Sequence, residues 1–218
     1  MTTDYRQLQG TFLVLDGPDG AGKSTQLQLL SRHLRDRGLD VLVLREPGGT
    51  AIGEKVRAIL LDRKHTEMSV TCEMLLYMAS RAQLVAEAIA PALRQGRCVL
   101  LDRYVWSTVA YQGAAGANVD AIDQVAQVAV GGLWPDLTVI LDLPAEVGLS
   151  RLARARDRLE QRDPDYHRRV RESFLEQARR HADRFVVVDA AGSVEQVQQA
   201  LRRSIEQWLA ARPGHRES

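Results

Sequence analysis

The sequence predicts a single α/β domain built on a five-stranded parallel sheet flanked by helices. Three observations carry this expectation. Five short apolar runs recur along the 218 residues, segments with apolar residues three and four apart lie between them, and the first run opens into a glycine-rich turn followed by a helical pattern. Runs that are apolar throughout, rather than alternating, read as strands buried on both faces. Connections too long for hairpins make those strands parallel, joined by right-handed crossovers.

In chain order the strands are Phe12 to Leu15, Val41 to Leu44, Cys98 to Leu101, Leu137 to Leu141 and Phe185 to Val188. Helical spacing is clearest at Leu27, Leu30 and Leu34, at Leu75, Tyr77 and Met78 running on to Leu84, and at Val147, Leu149 and Leu152. No repeat, low-complexity block or long linker divides the chain. One domain is therefore expected over residues 1–218, with loose ends up to about Gln9 and from about Pro213.

Composition bounds the function. At 45% hydrophobic and 26% charged, the chain can bury a substantial core, which excludes disorder as its main state. The 29 basic and 28 acidic residues leave a formal charge of +1, so neither nucleic acid nor an anionic membrane is expected as a partner. Any anion must be bound locally. Cys72 and Cys98 are too few for a disulfide framework, the five histidines lack metal-ligand spacing, and no apolar run approaches the length of a membrane span. The start is polar where a secretory signal would be apolar, and a reduced, cytoplasmic setting is the expectation.

The chemistry is announced after the first strand. Gly17-Pro18-Asp19-Gly20-Ala21-Gly22-Lys23-Ser24, followed by Thr25 and a helical pattern, is G-x-x-x-x-G-K-[ST]. Its glycines let successive N–H groups aim at one point, the helix start adds its positive end, Lys23 reaches the β- and γ-phosphates, and Ser24 Oγ ligates Mg²⁺. The loop is built for a nucleoside triphosphate. Lysine is otherwise scarce, three residues against 26 arginines, so Lys23 is not a by-product of abundance.

Kinases, switches and motor ATPases share that loop, and only a second phosphate site separates them. The second strand delivers Arg45 ahead of Glu46-Pro47-Gly48-Gly49-Thr50, and the third delivers Asp102-Arg103-Tyr104 to the same carboxyl edge of the sheet. Two guanidinium forks beside one phosphate loop suit an acceptor phosphate. The sharp turn out of the second strand also suits a cis Glu46–Pro47 bond. Further along, Arg151 to Arg171 holds eight arginines and four acids, which taken alone reads as a solvated helix face.

Leu100-Leu101-Asp102-Arg103-Tyr104-Val105-Trp106-Ser107-Thr108-Val109-Ala110-Tyr111-Gln112 resembles the signature of thymidylate kinases, and the P-loop, the Arg45–Thr50 turn and the Arg81 region follow in that family's order over nearly the whole chain. The resemblance implies a P-loop kinase fold of bacterial type, a homodimer, and transfer of the γ-phosphoryl group of ATP to dTMP with Mg²⁺. It implies that Gly17 to Thr25 bind ATP, with Arg151 near the adenine. It places Tyr77 under the thymine ring, Arg81 at a base carbonyl, and Ser107, Thr108 and Gln112 at the acceptor, with Tyr111 crowding the ribose 2′ position. Asp19 is placed at the 3′-hydroxyl, while Arg45 and Arg103 clamp the acceptor phosphate.

The same resemblance reads residues 151–165 as a LID over ATP. The P-loop contains no arginine, so a LID arginine is expected at the transferring phosphoryl group. The choice lies among Arg154, Arg156 and Arg158, with Arg158 and Arg154 preferred as catalytic partners of Lys23 and Arg103. Asp102 is left with two readings, one orienting magnesium or its water and the other bracing an arginine. A deoxynucleoside kinase and a nucleotide-binding switch are the alternatives, and neither needs two phosphate clamps.

Overall fold

In the computed structural model, which describes residues 4–152 and 157–212, the five apolar runs are strands, each one residue longer than the run itself. They are β1 (Phe12–Asp16), β2 (Val41–Arg45), β3 (Cys98–Asp102), β4 (Leu137–Asp142) and β5 (Phe185–Asp189). All pair in parallel, in the order β2-β3-β1-β4-β5. The added residue is charged in every strand. Asp16, Arg45, Asp102, Asp142 and Asp189 thus line the carboxyl edge, where an open parallel sheet binds its ligands.

Helices cover both faces: α1 (Lys23–Arg35), α2 (Ala51–Leu61), α3 (Val70–Leu84), α4 (Ala90–Arg94), α5 (Val105–Ala114), α6 (Val119–Val130), α7 (Ala145–Ser150), α8 (Pro164–Arg180) and α9 (Val194–Ala211). A π-helical turn at Val85–Ile89 joins α3 to α4. Alternation along β1 divides the core. Leu13 and Leu15 pack with Leu27, Leu30 and Leu34 of α1 and Leu201 and Ile205 of α9, whereas Phe12 and Val14 pack with Met74 and Met78 of α3 and Ile122 of α6. A third cluster, Tyr111, Tyr166, Val170 and Phe174, fastens α5 to α8.

Side chains cap α2 (Thr50), α3 (Ser69), α6 (Asn118), α8 (Asp163) and α9 (Ser193, with Gln196 completing a capping box). Helix α1 starts differently. Its cap is Gly22, with left-handed backbone and no side chain to satisfy the first N–H groups. The free donors and positive end of α1 are therefore left for a ligand.

Within the end expected to be loose, Tyr5–Leu8 forms a 3-10 turn that buries Leu8 completely and ties the Tyr5 hydroxyl to Glu206 of α9. Helix α7 stops at Ser150, so Leu152 lies beyond it rather than on its apolar face. Residues from Pro213 onward fall outside the described residues. Among the described residues no helix is long and apolar enough to cross a membrane.

The phosphate loop touches α7 without room for a methyl group. A Cβ at Gly148 would lie 2.2 Å from the Asp19 carbonyl oxygen, and one at Gly20 would lie 2.0 Å from the Gly148 oxygen. Gly148→Ala is expected to cost about 1–3 kcal/mol by overpacking and to lower Tm by several degrees. At Gly113 in α5 the nearest atom is Val119 Cγ2 at 3.6 Å, ordinary contact, so Gly113→Ala should leave Tm unchanged or higher. Thermal melts of the two variants side by side check both expectations.

Candidate active site

The loop between β1 and α1 wraps its own lysine. Lys23 Nζ donates to the Gly17 oxygen at 3.0 Å and the Pro18 oxygen at 2.7 Å. Burial pulls this amine down to about 8, helped by Arg103 and opposed by Asp19, Asp102 and Asp16. Beside it the Ser24 hydroxyl donates to Asp102 Oδ2 at 2.6 Å, so the two oxygens that are candidates for magnesium already lie together.

Behind the loop sits a buried set of charges. Asp16, fully buried at the end of β1, accepts from the Gly17 N–H at 2.9 Å and the Ser107 hydroxyl at 2.6 Å. Burial raises its carboxyl despite the pull of Arg103, Ser107 and Lys23. Arg103 donates to Ser107 Oγ at 3.1 Å and to Asp19 Oδ1, and its guanidinium lies 5.0 Å from the centre of the Tyr111 ring. The other oxygen of Asp19 accepts from Tyr111 Oη at 2.8 Å. Burial works to raise the Asp19 carboxyl, but Arg103, Lys23 and that hydroxyl outweigh it and hold it below the usual range. To aim its side chain this way, Arg103 adopts φ +70°, unusual for a residue with a Cβ.

The turn after β2 separates two arginines. Glu46–Pro47 is cis, as the turn suggested. Arg45 points outward and is gripped by Glu54, whose oxygens lie 3.0 and 3.1 Å from Nη2 while Oε1 also accepts from the Gly49 N–H. Glu46 turns inward and is buried, its Oε2 accepting from Arg81 at 2.7–2.8 Å while Oε1 has no partner. Burial pushes this carboxyl up to about 7 against the pull of Arg81.

Tyr77 lines the cleft, and Arg81, expected at a base carbonyl, lies next to the cleft residue Thr108 without lining the cleft itself. Arg81 is buried behind the wall. Its donors go to Glu46, Met78 Sδ, Thr108 Oγ1 and the Tyr104 carbonyl, which is what a buried guanidinium requires. Thr108 and Gln112 do line the cleft, and Gln112 Nε2 donates to Glu73 Oε1 at 2.7 Å.

The cationic stretch is described on either side of residues 153–156. Arg151 borders the cleft and donates to the carbonyls of Ala190 and Ala191, just past β5. Arg154 and Arg156 lie outside the described residues. Arg158, preferred for the transferring phosphoryl group, does not line the cleft. It pairs with the buried Glu73 and donates to the Leu60 carbonyl, because an interior carboxylate on α3 demands a cation. Sequence reading missed Arg57, which lines the cleft and donates to the Pro47 carbonyl, and it missed Glu46, Glu54 and Glu73. Arg57 falls four residues after Gly53 on α2, the face that packs toward the turn, and that helical spacing was the available signal.

These groups open onto a single cleft of roughly 440 Å³. Gly20, Gly22 to Thr25 and Arg151 line it together with Arg45, Arg57, Tyr77, Arg103, Thr108, Tyr111 and Gln112. A cleft of this size suits small-molecule ligands, and both Lys23 and Arg103 line it. A family profile described as thymidylate kinase matches residues 15–201. The thymidylate kinase of Caldanaerobacter subterraneus is 45% identical over 204 residues, spanning 93% of this chain and 98% of the relative. That of Pseudomonas putida is 47% identical over 197 residues, spanning 89% and 94%. The crystal structure of a thymidylate kinase from Ehrlichia chaffeensis superposes with a TM-score of 0.75 at 27% identity, spanning 91% and 99% of the two chains. Fold, phosphate loop and these relationships agree that the chain belongs to the thymidylate kinase family.

Proposed function

We propose that this chain transfers the γ-phosphoryl group of ATP to the phosphate of dTMP, giving ADP and dTDP, with the residues of the cleft in the following roles. The observation that carries the assignment of roles is the joining of a P-loop to a second set of arginines within one cleft. ATP lies along Gly17 to Thr25, its phosphates facing the uncapped start of α1, with the adenine toward Arg151. The acceptor phosphate lies between Arg45 and Arg103, with Arg57 as a further cation, and the base lies on Tyr77 beside Thr108 and Gln112. Asp19 and Tyr111 meet the sugar, and Ser107 holds Arg103.

The reaction moves no proton. A monophosphate has its second pKa near 6, so its oxygen is already a dianion's at neutral pH; it attacks the γ-phosphorus as the bond to the β-bridging oxygen breaks and ADP departs. Rate then depends on alignment and charge. Lys23 bridges donor phosphates once it leaves the Gly17 and Pro18 carbonyls, and Arg103 exchanges Asp19 for acceptor oxygens. Ser24 and Asp102 are two hard oxygen donors, which suits a Mg²⁺ ion that keeps most of its shell as water and phosphate. They would hold it, and it would neutralise donor phosphate charge.

We infer one domain over residues 1–218, a flap at 151–165, a homodimer and a cytoplasmic setting. Exposed Ile52 and Ile59 on α2, Leu75 on α3 and Val128 on α6 lie on neighbouring helices and supply an apolar face for a second copy. Cys72 and Cys98 are unpaired thiols, as a reducing compartment allows.

A coupled assay of ADP release tests the reaction. dTMP is expected to stimulate release strongly, whereas thymidine, which offers a hydroxyl in place of a phosphate, should not. Equal stimulation by thymidine would overturn the acceptor assignment.

Arg103→Ala is expected to lower kcat/KM for dTMP by roughly 2–4 kcal/mol, as for other lost charge stabilisers in closed sites. Arg103→Gly should be as inactive but up to about 1 kcal/mol more stable than the alanine variant, because only glycine relaxes at φ +70°. Urea unfolding of the pair measures that difference.

The depressed Lys23 amine gives a pH test. Above about pH 8 the free protein carries it neutral, while bound phosphates favour its charged form, so ATP binding should take up a proton and weaken as pH rises. Calorimetry at pH 8.5 to 9 in two buffers of different ionisation enthalpy should report that uptake. A heat independent of buffer would show that Lys23 is not coupled to ATP.

A further inference from the structure

Glu73 is a fully buried carboxylate in the first turn of α3, and it does not line the cleft. Groups from three places converge on it. Oε1 accepts from Gln112 Nε2 of α5 at 2.7 Å, Oε2 accepts from Arg158 Nη2, and Arg162 Nη2 lies 3.5 Å from Oε2. Arg158 is fixed further by the Leu60 carbonyl at 3.2 Å and Met68 Sδ at 3.7 Å. Arg162 stacks 4.6 Å from the Tyr166 ring centre, and the Tyr166 hydroxyl donates to the Tyr111 carbonyl at 3.1 Å. The carboxylate is thus clamped from the far side.

We propose that Glu73 is a positioning residue for base selection, acting through Gln112. This inference rests on the reading that Gln112 meets the acceptor base. An amide side chain carries a donor end and an acceptor end and can ordinarily present either. A carboxylate only accepts. Gln112 must therefore give its NH₂ to Glu73, which leaves its carbonyl oxygen as the end that serves the cleft it lines. A carbonyl suits a base whose ring nitrogen carries a hydrogen, as N3 of thymine and uracil does. Cytosine offers a bare acceptor at N3, and two acceptors facing each other in a closed site are repelled. Arg158 and Arg162 keep the carboxylate from turning away, so the selection is set two residues behind the surface that makes contact.

The test compares kcat/KM for dTMP and dCMP in the full-length protein. Glu73→Gln keeps the shape but can donate as well as accept, so the Gln112 amide is free to reverse. The dTMP-to-dCMP ratio is expected to fall on the order of tenfold or more, as for one misoriented hydrogen bond. The double variant Glu73→Gln with Gln112→Glu reverses the internal hydrogen bond and again offers the cleft an acceptor, so the ratio should recover. If Glu73 serves only to anchor the arginines, Arg158→Met should reproduce the Glu73→Gln phenotype. We expect instead that the ratio is retained, because Arg162, with Nη2 3.5 Å from Oε2, still holds the carboxylate toward Gln112.

An unchanged ratio in folded Glu73→Gln overturns the inference while leaving dTMP phosphorylation standing; a wild-type protein that ignores dTMP overturns both. If Glu73→Gln fails to fold, the wild type decides. The Gln112 NH₂ protons, identified by their loss in Gln112→Met, should be protected from solvent exchange with and without dTMP. Unprotected protons overturn the proposal.

Discussion

The site depends on the sharing of Arg103 between two carboxylates and one loop. Asp16 and Asp19 flank its guanidinium, Ser107 and Tyr111 complete their hydrogen bonds, and Lys23 lies within the same field. None of these charges is tolerable in the interior alone. Together they fix the relation between the end of β1, the phosphate loop and the start of α5. The unusual backbone of Arg103 belongs to that arrangement, since a residue leaving β3 in an ordinary conformation would send its side chain elsewhere.

What the sequence made legible follows how local each feature is. Each strand was readable as an unbroken apolar run, because a strand buried on both faces has no other pattern to show. The P-loop was readable because phosphate, glycine and helix start meet within nine residues. The partner of Arg81 was not readable for the opposite reason, since Glu46 is 35 positions away in the chain. That of Arg158 was hidden likewise, because Glu73 lies 85 positions earlier. The turn at Tyr5–Leu8 looked polar and loose, although its two buried side chains dock onto α1 and α9.

A common thread joins the residues that sequence reading passed over. Motif reasoning found most of the cations of the cleft, Arg57 excepted, and overlooked Glu46, Glu54 and Glu73, which aim other side chains. Glu54 holds Arg45 at the rim, Glu46 holds Arg81 behind the wall, and Glu73 holds Gln112 and Arg158. Acidic residues on helices and turns carry no spacing signal of their own. Their importance emerges only when the tertiary partner is known.

The scarcity of lysine gives the Lys23 environment a chemical consequence. Lys55 and Lys64, the other two lysines, are exposed on the surface, whereas Lys23 is buried with its amine pulled down to about 8. A neutral amine is a nucleophile, and above about pH 8 this one is neutral and faces the cleft. Acylating or sulfonylating reagents carried on an adenosine scaffold therefore meet a single buried lysine, Lys23, in the cleft. The composition that makes Lys23 conspicuous in the sequence also makes it a selective handle for covalent labelling.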